Sequence, residues 1–269
     1  MVIDFHTHIF PDKIAKKTID ALAERSNGTP FTDGTVVGLI KHMFESDVDI
    51  SVTLPVLTKP TQFESVFNFA LSVNEQFALE PRKLISFAGI HPECEEIDKK
   101  MLAIKKVGFK GVKIHPDYQN AFIDHEGYIQ ILNSAKEYDL IVVTHAGIDD
   151  GYVGQPVKCP PELIKKVINK VGHSKFVLGH FGAHEQWDQV LDMIAGEDVY
   201  LDTAFCLHQI EPELFKKIVE KHGDDKVLFA TDCPWQSMEY YLKILKSYQL
   251  SENTEQKILY KNAVSLLGL

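Results

Sequence analysis

The sequence predicts an α/β protein folded as a (β/α)8 TIM barrel, with an extra helix after the first strand and another at the C-terminus. Three observations carry that expectation. The chain has 269 residues, close to the ~250 typical of one such barrel. Short runs rich in Val, Ile, Phe and Leu alternate with helical stretches, the pattern of βα units around a parallel sheet rather than of hairpins. Eight such runs can be counted: Val2–His8, Asp49–Pro55, Leu84–His91, Gly111–His115, Leu140–His145, Phe176–His180, Val199–Thr203 and Val227–Asp232. The ends of the middle strands, His91, His115, His145 and His180, recur at about the ~30 residues that one unit requires.

The intervening helices follow from apolar spacing and from their start signals. Glu126–Tyr138 places Tyr128, Ile131, Leu132 and Ala135 on one face. Glu95–Val107, Pro161–Lys170, Glu211–His222 and Ser237–Tyr248 read the same way. Two of them begin with proline and acid, where a missing N–H costs nothing and the dipole favours negative charge. Pro11–Arg25 is the extra helix, Ser26–Asp33 a polar loop, and Thr35–Glu45 the first barrel helix, so the insertion is expected to overhang the mouth. Glu252–Leu267 is expected to pack on the barrel exterior. No linker rich in Gly, Ser or Pro interrupts residues 1–269, which read as a single domain.

A composition of 45% hydrophobic and 25% charged residues, without biased tracts, is that of a globular protein with a full core. The net charge of −10, with no basic stripe, argues against nucleic-acid and anionic-membrane partners. The N-terminus lacks a basic and apolar leader, and no run approaches the ~18 apolar residues of a spanning helix, so a soluble cytoplasmic protein is expected. Cys94, Cys159, Cys206 and Cys233 form no C-x-x-C pair and read as reduced, structural thiols.

Catalytic residues of such barrels sit at the C-terminal ends of the strands, which form the open mouth. The predicted ends carry His6, His8, His91, His115, His145, His180 and Asp232, so half of the 12 histidines fall there. Strand residues two apart share a side, so His6 and His8 are expected to face the barrel axis, with Phe5 and Thr7 facing outward. Two imidazoles then converge on one ion. Zinc accepts His nitrogens together with carboxylate oxygen and keeps a position for water in catalytic sites. His145, in Val142-Val143-Thr144-His145, and Asp232, in Ala230-Thr231-Asp232-Cys233, complete such a set. An H-x-H alone arises by chance, and a lone strand-end histidine is more often a structural hydrogen-bonding residue. Their conjunction on separate strands with the right polarity points to a metal.

Ile3-Asp4-Phe5-His6-Thr7-His8, Gly111-Val112-Lys113-Ile114-His115-Pro116, Thr144-His145-Ala146-Gly147, Leu178-Gly179-His180-Phe181-Gly182-Ala183-His184 and Ala230-Thr231-Asp232-Cys233-Pro234 together resemble the amidohydrolase superfamily. More narrowly, they resemble the amidohydrolase-related branch that includes aminocarboxymuconate-semialdehyde decarboxylase-like proteins. The similarity covers essentially the whole chain in the family's motif order. It implies one divalent metal, zinc first among the candidates, held by His6, His8, His145 and Asp232, with His180 beside the water to be activated. Binuclear members instead bridge two ions with a fourth-strand carboxylated lysine or glutamate. Lys113 has the parity of His115, so a second metal stays open. Manganese, iron and cobalt also suit these ligands.

The implied reaction is hydrolysis of a small carbonyl-containing substrate of the amide, lactone or ester type, with Asp232 or His180 moving the proton. Non-oxidative decarboxylation of a small unsaturated or aromatic carboxylic acid is the alternative, and the ligand set does not separate them. Lys113, His115 and His184 are candidates for stabilising a developing oxyanion. Lys113 equally reads as an anchor for an acidic substrate or as an amine paired with a barrel carboxylate. Tyr118, Tyr152 and Trp235 either wall the pocket or pack at its rim. His91 reads as structural, and Asp4, which shares the side of the metal histidines one turn deeper, reads as a packing residue or a support behind the ligands rather than a ligand. His42, His125, His173, His208 and His222 read as solvated. The expected partner is a small molecule; a homodimer is compatible with such barrels, though nothing in the sequence demands it. A phosphoesterase or nuclease barrel would want a positive mouth and usually a fourth-strand glutamate, and a non-catalytic barrel would lack a key residue; neither description fits.

Overall fold

The computed structural model describes residues 1–269. Along the chain run β1 Ile3–Thr7, α1 Asp12–Ser26, α2 Val36–Glu45, β2 Ile50–Thr53, α3 Phe63–Phe77, β3 Lys83–Ser86, β4 Ala88–Gly89, α4 Ile97–Lys106, β5 Gly111–Ile114 and α5 Glu126–Glu137. There follow β6 Ile141–Thr144, α6 Pro161–Val171, β7 Phe176–Leu178, α7 Trp187–Met193, β8 Tyr200–Asp202, α8 Pro212–His222, β9 Val227–Leu228, α9 Met238–Ser247, α10 Glu252–Gln256 and α11 Asn262–Leu267. Every strand pair is parallel, in the orders β1-β2-β3 and β4-β5-β6-β7-β8-β9.

The two sheets join at both ends into one barrel. β3 and β4 are halves of the expected third strand, parted at Phe87, whose N–H still reaches the Thr53 carbonyl at 2.9 Å. At the other seam the Phe5 N–H donates to the Phe229 carbonyl and the Asp232 N–H to the His6 carbonyl, both at 2.9 Å, and Thr7 bridges Cys233. Closure removes the exposed edges that an open sheet would carry. Gly111 makes the inner packing possible: a Cβ there would lie 2.6 Å from the Phe87 ring and 2.4 Å from the Ile141 carbonyl oxygen.

The helices form where the sequence offers a face and a stop. In α6, Ile164, Val167, Ile168 and Val171 are buried, proline stands at the start, and Gly172 ends the helix at φ 61°. Thr35 and Ser237 cap α2 and α9 by accepting from Gly38 N and Tyr240 N. The buried faces of α6 and α9 join Val112, Ile114, Val142 and Leu178 of the barrel wall in the main core, whereas Leu39 and Met43 of α2 pack in a smaller cluster with Ile9, Val73 and Met238. The extra helix after the first strand is α1. As expected it overhangs the mouth, with Thr18, Leu22 and Ser26 lining the central cavity. No helix is long and apolar enough to cross a membrane. All four cysteines are free and buried.

The structure corrects the sequence reading in several places. α3 and α7 were not among the expected helices, and the C-terminal helix is interrupted by a π-helical segment at Lys257–Lys261. A register shift between Asp4 and Thr7 breaks the alternation assumed for β1. Phe5 therefore does not face outward: it packs on Phe87 in the cluster of Ile141, Val143, Leu228 and Ala230, residues that share the parity of His145 and Asp232. Asp4 instead accepts hydrogen bonds from Thr231 Oγ1, Thr231 N and His6 N, which ties β1 to the last strand. All five histidines read as solvated make structural hydrogen bonds, His125 by capping α5 through Gly127 N at 3.1 Å. His173 Nε2 bonds the Leu140 carbonyl, His222 spans Val199 O and Gly196 N, His42 Nε2 accepts from Met238 N, and His208 bonds the Tyr241 hydroxyl. Only His125 is exposed.

Candidate metal centre

A cavity of about 450 Å³ opens at the C-terminal ends of the strands. His6, His8, Lys113, His115, Tyr118, His145, His180, His184, Trp235 and Asp232 line it, whereas His91, also at a predicted strand end, does not and accepts at Nδ1 from Glu93 N. The imidazoles form a continuous arc, with ring centroids 4.4 Å apart for His115 and His145, 4.5 Å for His145 and His180, 5.4 Å for His180 and His6, and 5.1 Å for His6 and His8. His180 and Asp232 both hold left-handed backbone angles, φ 58° and 68°. Such strain, on the order of 1–3 kcal/mol per residue, clusters at functional sites.

Hydrogen bonds behind the arc decide which nitrogen faces inward. His6 Nδ1 lies 2.9 Å from Asp202 Oδ2, and His8 Nδ1 lies 2.9 Å from the Leu54 carbonyl oxygen. Both partners only accept, so both rings carry the proton on Nδ1 and present Nε2 as a lone pair. Those two nitrogens lie 3.5 and 3.0 Å from Asp232 Oδ1. The Lys113 amine, 3.0 Å from His6 Nε2, is the one donor that reaches this trio; His8 Nε2 and Asp232 Oδ1 face each other at 3.0 Å with no proton between them, which is repulsive until a cation joins them. The three ligand atoms lie within 4.8 Å of one another. The donor set fits a divalent metal of the kind that takes nitrogen and oxygen ligands.

His145 stands apart from that trio. Its Nε2 is buried without a hydrogen-bond partner and lies 3.9 Å from Asp117 Oδ2, itself unpartnered. The Asp117 carboxylate favours the proton on Nε2 and leaves Nδ1 as the free nitrogen. The ligand atoms of His145 group instead with His115 and Asp149. His115 and His145 are stacked only 11° from parallel, so their lone pairs do not aim at one point, a poor geometry for sharing an ion. Of the four expected ligands, three are brought together and His145 lies along the arc beside His180. His180 donates from Nδ1 to the Ala204 carbonyl at 3.1 Å, which leaves its Nε2 free.

Burial shapes the electrostatics. It lowers Lys113 to about 8, against the pull of Asp202 and Asp232, and the amine lies 3.0 Å from His6 Nε2. Burial pushes His180 down to about 4, and His6, His115 and His145 well below the usual imidazole value. It raises Asp202 to about 6 and Asp149 to about 7.

Of the two roles read for Tyr152, walling the pocket or packing at its rim, the structure shows the second. It does not line the cavity and sits at the rim, where the Arg25 guanidinium reaches its hydroxyl at 3.2 Å and lies over its ring. Four carboxylates escaped the sequence reading: Asp202 behind His6, Asp117 beside His145, Asp149 beside His115 and Asp150 beside His184. Asp202 alone had a legible signal, as the acid next to the end of the seventh predicted strand, Val199–Thr203. A family model described as Amidohydrolase matches residues 3–269.

The chain belongs to the amidohydrolase family. It is thus an enzyme of that superfamily, with side chains able to hold a divalent metal. No curated protein sequence matches it. Among solved structures it is similar to 5-carboxyvanillate decarboxylase from Novosphingobium aromaticivorans with bound manganese, at 13% identity and TM-score 0.73, covering 100% of this chain and 97% of that one. A dihydroxybenzoic acid decarboxylase from Polaromonas with bound manganese and 2-nitroresorcinol gives 16% identity and TM-score 0.70, covering 100% and 97%. A probable 2-pyrone-4,6-dicarboxylic acid hydrolase from Acinetobacter baumannii with bound citric acid gives 18% identity and TM-score 0.69, covering 100% and 99%. These likenesses establish the (β/α)8 barrel of the amidohydrolases and nothing finer.

Proposed function

We propose that this amidohydrolase is a metal-dependent hydrolase of small carbonyl-containing substrates, amides, lactones or ester-like compounds. The observation that carries the reading is the convergence of His6 Nε2, His8 Nε2 and Asp232 Oδ1 as acceptors, with the Lys113 amine on His6 Nε2 as the one donor beside them. A divalent ion, zinc or manganese, when bound there supplies Lewis acidity and makes water acidic enough to react near neutral pH. His145, the fourth ligand that the resemblance implies, stands outside the trio here and would have to reorient to join it. The chain's own groups then divide the remaining work. His180, neutral and with Nε2 free, accepts a proton from the attacking water and returns that proton to the leaving group; Asp232 is the alternative carrier of the same proton. Lys113, the one lysine or arginine lining the cavity, holds a substrate carboxylate or an oxygen that gains charge. The aromatic walls of Phe10, Phe31, Phe205 and Trp235 exclude water around the reacting carbon.

A second reading, non-oxidative decarboxylation of a small aromatic acid, is favoured by those same walls, which suit a planar ring. The similar decarboxylases lend it support of equal weight. The test is to load the protein with zinc or manganese and follow amine release from amides, proton release from lactones and esters, and carbon dioxide release from aromatic acids. Turnover that disappears with a chelator and in His8→Ala is the expected result. Full metal loading without either activity would refute both readings, and the absence of tight metal binding would refute the site itself.

A further inference from the structure

We propose that His184 is a subsite recognising a hydrogen-bond donor on the substrate, a hydroxyl or an N–H group. This rests on the metal-dependent reading above and narrows its substrate class. His184 follows β7, is buried and lines the cavity. Both of its ring nitrogens are shut off from solvent, and neither has a hydrogen-bond partner. Leaving a buried polar atom unpaired is costly, and a ligand that supplies the partner removes the cost.

The loop after β6 decides which nitrogen is left for the ligand. Gly147 bridges His184 in parallel fashion, and a Cβ on Gly147 would lie 2.0 Å from the His184 backbone nitrogen. That close approach carries two consecutive carboxylates onto two histidines. Asp149 Oδ2 comes to 3.5 Å from His115 Nε2, and Asp150 Oδ1 to 3.7 Å from His184 Nε2. The negative charge of Asp150 favours the proton on Nε2, which leaves His184 Nδ1 as an acceptor without a donor. Trp187 lies edge-on to the ring at 5.8 Å and Phe205 tilts against it at 5.7 Å, so its orientation is fixed by packing. His180 is 5.9 Å away on the side of the metal cluster. A planar substrate with its carbonyl or carboxylate toward Lys113 and His180 places a donor group on His184 Nδ1.

The probes are benzoate, the three hydroxybenzoates and the three aminobenzoates, each compared with its O-methyl or N,N-dimethyl counterpart. Binding is measured by titration calorimetry on manganese-loaded protein. At least one donor-bearing acid is expected to bind roughly 5- to 150-fold more tightly than its methylated counterpart, the range that one satisfied buried acceptor provides. In His184→Phe the pair is expected to bind equally. Asp150→Asn, on the loop and outside the core, guards against misfolding of the first variant: it removes the charge that sets the tautomer and is expected to shrink the same ratio. Equal affinities in the wild type, or a ratio that survives both substitutions, would overturn the subsite while leaving the metal-dependent function intact. Failure of every acid, benzoate included, to bind fully loaded protein would overturn the small-carboxylate reading and the subsite with it.

Discussion

Replacing Asp202 by asparagine is expected to weaken metal binding about 10- to 100-fold without unfolding the barrel. The two carboxylate oxygens have separate tasks. Oδ1 accepts from the backbone N–H groups of His180 and Ala204 at 3.0 and 3.1 Å, whereas Oδ2 accepts from His6 Nδ1 at 2.9 Å. Asparagine keeps the first oxygen and so keeps both backbone bonds. At the second position it places an N–H₂ group against the His6 N–H. The conflict is relieved when the His6 proton moves to Nε2, and that nitrogen then has no lone pair for an ion. Loss of an outer partner of a ligating histidine typically lowers affinity by about 10- to 100-fold, which is roughly 1.4–2.7 kcal/mol. Asp202→Ala strands two buried N–H donors as well, and is expected to cost stability by about 1–3 kcal/mol for each. Chelator competition gives the dissociation constant, and thermal unfolding with and without metal separates affinity from folding. An Asp202→Asn protein with metal affinity within two-fold of wild type would refute the tautomer argument and with it the assignment of His6 Nε2 as a ligand.

Three further outcomes are expected. Metal content measured by elemental analysis should be about one ion per chain, lost in Asp232→Asn and retained in Lys113→Ala; a second ion lost in Lys113→Ala would instead indicate a lysine-bridged pair. Gly147→Ala should destabilise the loop after β6, because φ 87° disfavours alanine and the added Cβ meets His184 N at 2.0 Å; a loss of at least ~1 kcal/mol in denaturant titration is expected. Finally, burial lowers His173 to about 4. The unfolded chain takes up a proton below about pH 6.5 while the folded chain does not, so this contribution to stability is present above that pH and is lost as pH falls toward 4. His173→Gln, which keeps a donor for the Leu140 carbonyl, should flatten the melting temperature across that window; an unchanged slope would show that other groups carry it.

The barrel was legible because its signals are local. A strand needs only a short apolar run, and a C-terminal strand end needs only its last residue to be read, so His6, His8, His115, His145, His180 and Asp232 were placed at one mouth by counting alone. The resemblance in those same motifs assigned the family. Tertiary structure decided what a repeat pattern cannot encode. The register shift in β1 turned Phe5 into the barrel core, and Phe87 parted the third strand, because strand pairing depends on both neighbours rather than on one sequence. The histidines read as solvated became structural because Leu140, Val199 and Met238 bring backbone groups to them from other segments. Above all, the proton positions on the arc were set from far along the chain, Asp202 acting on His6 across 196 residues. A sequence names an imidazole; which of its nitrogens is free depends on the acceptor that folding places behind it.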